Sequence, residues 1–123
     1  MSVDRTTYLL YGFKFTSEED MDKLDEHYED LMENEPYRLI FNDQSSEQTT
    51  VWDSMCGEYI YVGMKLAEID DFYNGDSGCV VVPKDKVVEL KSRLDEYMKS
   101  WPPYLIDLCK GHEPELYLFM HAW

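Results

Sequence analysis

Residues 7–15 are aromatic or aliphatic almost throughout, with Leu9, Tyr11, Phe13 and Phe15 on one side of an extended chain and Tyr8 and Leu10 on the other. Apolar side chains on both sides of a two-residue period predict a central strand. Thr16 or Ser17 then supplies a helix cap. Thr16 with Glu19 three positions later reads as a capping box, in which hydroxyl and carboxylate each satisfy a free backbone amide. From there Met21, Leu24, Tyr28, Leu31 and Met32 form one stripe at helical spacing on an otherwise charged segment. One helix is predicted, ending by way of Asn34 at Pro36. Residues 37–41 (Tyr37, Arg38, Leu39, Ile40, Phe41) predict a second strand, and residues 42–50, which lack any apolar side chain, predict a loop.

Residues 58–66 alternate, with Ile60, Val62, Met64 and Leu66 on one side and Tyr59, Tyr61, Gly63 and Lys65 on the other, which predicts a strand covered by helices on one side. Turn signals follow over residues 70–78, then a short β-branched run at residues 79–82. After Pro83 a second helix is predicted over residues 84–101 from Val87, Leu90, Leu94, Tyr97, Met98 and Trp101, stopped by Pro102 and Pro103. Residues 104–113 read as a single turn and residues 115–122 as a last strand. The order predicts one α+β domain over residues 1–123. Two helices pack on one face of a mainly antiparallel sheet of four to five strands, in the ferredoxin-like or split βαβ layout. The runs at 42–57 and 79–82 are where an extra edge strand would enter.

Composition makes this a folded chain: 44% of the 123 residues are apolar and 15% aromatic, whereas acidic disordered chains are poor in aromatics. No apolar run approaches the roughly 18 residues of a membrane span, and the first residues lack the basic and apolar regions of a secretory signal. The expectation is a cytoplasmic protein. Cys56, Cys79 and Cys109 are odd in number and widely spaced, so they are expected to be reduced and mostly buried.

Charge narrows the partners. Against 26 acids stand 11 bases, a net charge of −15, which excludes nucleic-acid binding by counterion release and disfavours anionic membranes. The charge is also localised. Residues 18–35 hold ten carboxylates and one base, Lys23, so nine of the fifteen excess charges lie there, while residues 84–101 hold five bases and four acids. Like charges four apart on a helix cost a few tenths of a kcal/mol per pair, and a surface needing only solubility could mix both signs. Carboxylates spaced at several ångströms resemble the phosphate row of a nucleic acid and attract a basic groove on another protein. Asp22, Asp25, Glu26, Glu29, Asp30 and Glu33 are therefore the candidate partner-binding residues. Asp70, Asp71 and Asp76, with Glu68 and the rings of Phe72 and Tyr73, form a second candidate patch. Its order lacks the alternating oxygen ligands and closing Glu of a calcium loop.

No catalytic, metal or cofactor site is predicted. Gly75-Asp76-Ser77-Gly78 resembles the nucleophile region of trypsin-like serine proteases over those four residues alone, and His27, on a charged helix, is the one His upstream of it. Cys109 and His112 have the spacing of half a zinc site, yet the other thiols are isolated. A nucleophile made from Cys56, Cys79 or Cys109 with His112 or His121 would have to be assembled by folding. The six glycines are scattered, without a phosphate-cradling run, so no nucleotide cofactor is expected. Trp52, Trp101, Tyr104 and Trp123 read as core rings or as anchors for a protein partner.

The short chain, the acidic first helix, the aromatic strands Tyr8-Leu9-Leu10-Tyr11-Gly12-Phe13 and Leu116-Tyr117-Leu118-Phe119, and the absence of a catalytic motif resemble small acidic accessory proteins of bacteriophages and mobile elements. That resemblance implies a non-enzymatic inhibitor of a host nucleic-acid-handling or defence protein, in some cases a DNA mimic, acting in the host cytoplasm; it carries over no functional residues. Two alternatives remain open. One is a homo-oligomeric structural or accessory protein, for instance a homodimer, associating through an aromatic sheet edge or Trp123. The other is a small enzyme with a Cys, His and acid site.

Overall fold

The computed structural model describes residues 5–41, 47–53, 56–71 and 80–122. The two-sided apolar run near the N-terminus forms β1 (Arg5–Phe15), a strand paired on both edges as its pattern requires. β3 (Ile60–Asp71) and β4 (Glu115–Ala122) flank it, both antiparallel, and β2 (Gln48–Trp52) pairs antiparallel with the far side of β3. The resulting order is β2-β3-β1-β4. β1 and β2 thus run the same way with β3 inserted between them, and β3 and β4 likewise enclose β1: the split βαβ topology. The first crossover contains α1 (Glu18–Glu26), α2 (Tyr28–Met32) and α3 (Tyr37–Phe41). The second contains a 3₁₀ turn at Lys84–Val87, then α4 (Leu90–Met98) and α5 (Pro103–Cys109).

Several local expectations are corrected. Ser17 rather than Thr16 caps α1, its Oγ accepting from the Asp20 amide at 3.1 Å. The predicted helix to Pro36 breaks at His27 into α1 and α2. Residues 37–41 are helical, not a strand. Tyr37, Ile40 and Phe41 turn inward at helical spacing and leave Leu39 half exposed. The loop predicted over 42–50 gives way to β2 from Gln48, and β3 continues to Asp71, so Asp70 and Asp71 lie in a strand instead of a turn. Residues 80–82 form no strand. The helix predicted from 84 begins at Leu90, because Glu89 takes a left-handed φ of 52° that no α-helix passes through. Residues 104–113 hold the greater part of α5 instead of a single turn.

The helices bury one face of the sheet. Phe13, Phe15, Ile60, Val62 and Met64 meet Leu24, Leu31, Leu94 and Leu105, all nearly without exposure. On the opposite face Tyr8, Leu10, Val51 and Tyr61 form a second cluster that no described helical residue joins. There Phe119 stacks on Tyr61 at 3.7 Å and 5°. Gly12 sits opposite Gly63 where β1 and β3 pinch together. A methyl on Gly12 would overlap the Val62 carbonyl oxygen, and one on Gly63 the Tyr11 carbonyl oxygen, so only glycine fits either place. Further along, a register shift at Leu9/Leu10 leaves Leu66 as an extra residue on β3, a bulge. None of the described helices is long and apolar enough to cross a membrane.

Candidate functional site

The acidic stretch folds onto the sheet because Leu24 and Leu31 are apolar positions on the inward side of α1 and α2, and both are fully buried. Glu18, Glu19 and Asp20 occupy the first turn of α1, where carboxylates favour the positive end of the helix dipole. Lys23, the one base of residues 18–35, has its Nζ 3.3 Å from Glu19 Oε1. At His27 the helix stops, and the imidazole stacks on Tyr104 of α5 at 3.7 Å and 11°. Tyr104 Oη in turn donates to Asp30 Oδ2 at 2.8 Å, while Asn34 Nδ2 donates to Asp30 Oδ1 at 3.4 Å. Burial, followed by that bond to Asp30, pushes the Tyr104 hydroxyl far above its usual pKa. A second strut joins Asp20 Oδ2 to His112 Nε2 at 3.2 Å, and the His112 ring stands edge-on to Phe15 at 5.1 Å. The acidic helices α1 and α2 are therefore tied to the second crossover by these two struts as well as through the core.

Of the six predicted helical residues, Asp22, Asp25, Glu26, Glu29 and Glu33 are exposed, and Asp30 is half-buried as the acceptor for Tyr104. A groove of about 260 Å³ runs along the border of this surface, between α1 and α5, lined by Lys23, Glu26, His27, Tyr104, Asp107 and Leu108. The second crossover is different in kind. Lys99 lies 2.8 Å from Glu96, Lys110 3.3 Å from Asp107, and Arg93 3.4 Å from Glu47, which also accepts from Tyr97 Oη at 2.7 Å.

Asp70 and Asp71 are not brought to this surface. They pair with Thr6 and Arg5 at the far end of β3, eight residues or roughly 26 Å beyond the Val62 row against which β2 and α2 lie. Asp76, with the turn at 75–78, Phe72, Tyr73, Cys79 and Trp123, lies outside the described residues. The expectation of mostly buried thiols holds for Cys109 and fails for Cys56, which is exposed. Burial pushes the Cys109 thiol up to about 12, so it carries no thiolate at neutral pH, and His112 is turned toward Asp20. The Cys56 and Glu58 amides donate to the Asp53 carboxylate at 3.1 and 2.9 Å, and Tyr59 Oη lies 2.9 Å from Nδ1 of the buried His121.

What fold and surface define is a split βαβ domain carrying an acidic helical face. No family model matches the chain, and no curated protein or solved structure matches it either. Sequence reasoning missed the two struts, because Tyr104 and His112 lie some seventy to ninety positions from their partners Asp30 and Asp20. It also missed the apolar ridge of Leu116, Leu118 and Met120. Their alternation with Tyr117 and Phe119 was visible, but that β4 is an edge strand emerges only from the topology.

Proposed function

We propose that this protein is a non-enzymatic binding module whose α1–α2 surface docks in the basic groove of a nucleic-acid-handling protein and occupies it as a DNA mimic would. The observation that carries the reading is the bare charge of this one surface. Asp22, Asp25, Glu26, Glu29 and Glu33 are exposed, and the single base among them is already engaged by Glu19. Charge displayed on a braced surface steers a basic partner over a Debye length of about 8 Å at physiological salt and is weakened by added salt. The resemblance to phage and mobile-element accessory proteins supports a host defence or nucleic-acid enzyme as the target and the cytoplasm as the place of action.

The test is capture of such enzymes from host lysate on immobilised protein, with release by excess duplex DNA. Asp25→Lys, Glu26→Lys and Glu29→Lys together, which spare the Asp30 strut, are expected to abolish capture while the circular dichroism spectrum is unchanged. Capture that survives the triple reversal, or that duplex DNA does not reverse, overturns the reading.

A further inference from the structure

The two edges of the sheet differ. β2 has five residues, begins with Gln48, Thr49 and Thr50, and lies under α2: Tyr28 stands edge-on to Trp52 at 5.1 Å, and Thr50 Oγ1 donates to Met32 Sδ at 3.5 Å. β4 has eight residues and pairs with β1 in unbroken register from Glu115 opposite Gly12 to Ala122 opposite Arg5. Proteins usually blunt such an edge with Lys, Pro or a bulge. β4 has no Lys, Arg or Pro, and its one acid, Glu115, stands at its start. On its helix side Leu116, Leu118 and Met120 are 53%, 74% and 57% exposed, because α4 packs against β1 and leaves β4 uncovered.

We infer that β4 pairs antiparallel with β4 of a second copy about a twofold axis at Leu118, joining two four-stranded sheets into one of eight strands. The strand's own sequence names the occupant. Pairing centred on Leu118 sets together residues whose numbers sum to 236: Leu118 with Leu118, Leu116 with Met120, Tyr117 with Phe119, and Glu115 with His121. Aliphatic meets aliphatic and aromatic meets aromatic, which is the self-complementarity an isologous interface requires. Moving the axis one residue toward the N-terminus puts Glu115 against Phe119; moving it the other way puts Tyr117 against His121, which is buried and bonded to Tyr59. Charge selects the same edge. Two chains of −15 repel, and β4 follows the crossover whose bases and acids nearly balance in number, whereas α2 of the acidic crossover overlies β2. The inference is independent of the proposed function, and a dimer would carry two acidic surfaces on one particle, a source of avidity.

Native mass and cross-linking test it. The wild-type chain is expected at twice 14.6 kDa and Leu118→Lys at 14.6 kDa with an unchanged circular dichroism spectrum, Leu118 being exposed enough to accept the change. In a Cys56→Ser, Cys79→Ser background, Leu118→Cys is expected to form a disulfide with itself on mild oxidation. Leu116→Cys is expected to cross-link with Met120→Cys in a mixture and not with itself. Added salt should strengthen the dimer by screening like charge while it weakens capture of a basic partner, so the two ideas fail separately. A single-chain mass for the wild type at both low and high salt overturns the dimer. A dimer that persists in Leu118→Lys, or a Leu116→Cys chain that cross-links to itself, overturns this interface.

Discussion

The first crossover, α1 to α3, and the second, α4 to α5, both bury leucines fully against the same sheet: Leu24 and Leu31 from one, Leu94 and Leu105 from the other. Their outward sides have opposite chemistry. The second crossover nearly balances bases against acids, with Lys99 beside Glu96 and Lys110 beside Asp107, so little field extends beyond that surface. The first crossover has Lys23 beside Glu19 and seven further exposed carboxylates between Glu18 and Glu35. Packing needs the inward leucines in both crossovers, and nothing in the packing demands the imbalance outside. The difference teaches that core and surface were composed to separate requirements.

The largest effect expected from breaking that contrast is on partner capture. Reversing Asp25, Glu26 and Glu29 to Lys should weaken it on the order of a hundred-fold or more, since like charges brought together at an interface cost several kcal/mol. A matched reversal of the exposed Glu89, Asp95 and Glu96 in the second crossover should change it only a few-fold. Equal loss from both sets, measured by surface plasmon resonance against the captured protein, would remove the distinction. Next in size is the shared core. Leu31→Ala and Leu94→Ala each delete a fully buried side chain and should each cost about 3 kcal/mol in urea unfolding, with similar values for the two crossovers. Smaller is the strut between them. Tyr104→Phe removes the hydrogen bond to Asp30 and should cost about 1 kcal/mol, with hydrogen exchange rising in α2 more than in α4.

The smallest effect is a pH dependence seated outside both crossovers. Burial lowers the pKa of His121 below its usual 6.5, and the Asp53 charge opposes that shift. Stability from keeping this imidazole neutral is fully present above the unfolded value and is lost as pH falls through the folded one. The urea midpoint should therefore drop more steeply on acidification below about pH 6.5 in the wild type than in His121→Phe. Equal slopes would show that His121 is not the group responsible.

Much of the architecture was legible in the sequence. The two-sided pattern of residues 7–15 marked β1 as a central strand, and the alternation of residues 58–66 marked the greater part of β3 as a strand covered on one side. The run at 115–122 matches β4 to the residue, while the pairing of β1 with β3 emerges only from the fold. Residues 37–41 misled because Tyr, Ile and Phe favour strands locally, while the chain after Pro36 winds so that Tyr37, Ile40 and Phe41 reach one core. The start of α4 was hidden because Val87 fits a helical period although Glu89 turns left-handed before the helix begins. The acidic surface was visible as composition. Its division into eight exposed carboxylates and two structural acceptors was not, since Asp30 acquires its role from Tyr104, 74 positions away, and Asp20 from His112, 92 away.

The glycine pinch between β1 and β3 has a consequence for ancestry. Slipping one strand by a residue would drive the side chain of Tyr11, Phe13 or Val62 into the space where Gly12 and Gly63 meet, so this single row checks the alignment of the whole sheet. Acids on α1 and α2 can be exchanged or moved along the surface while the field they produce persists. The two glycines, 63 − 12 = 51 positions apart, can only be kept. In a lineage drifting under selection for charge alone, that pair would outlast the acidic run as the mark of common descent.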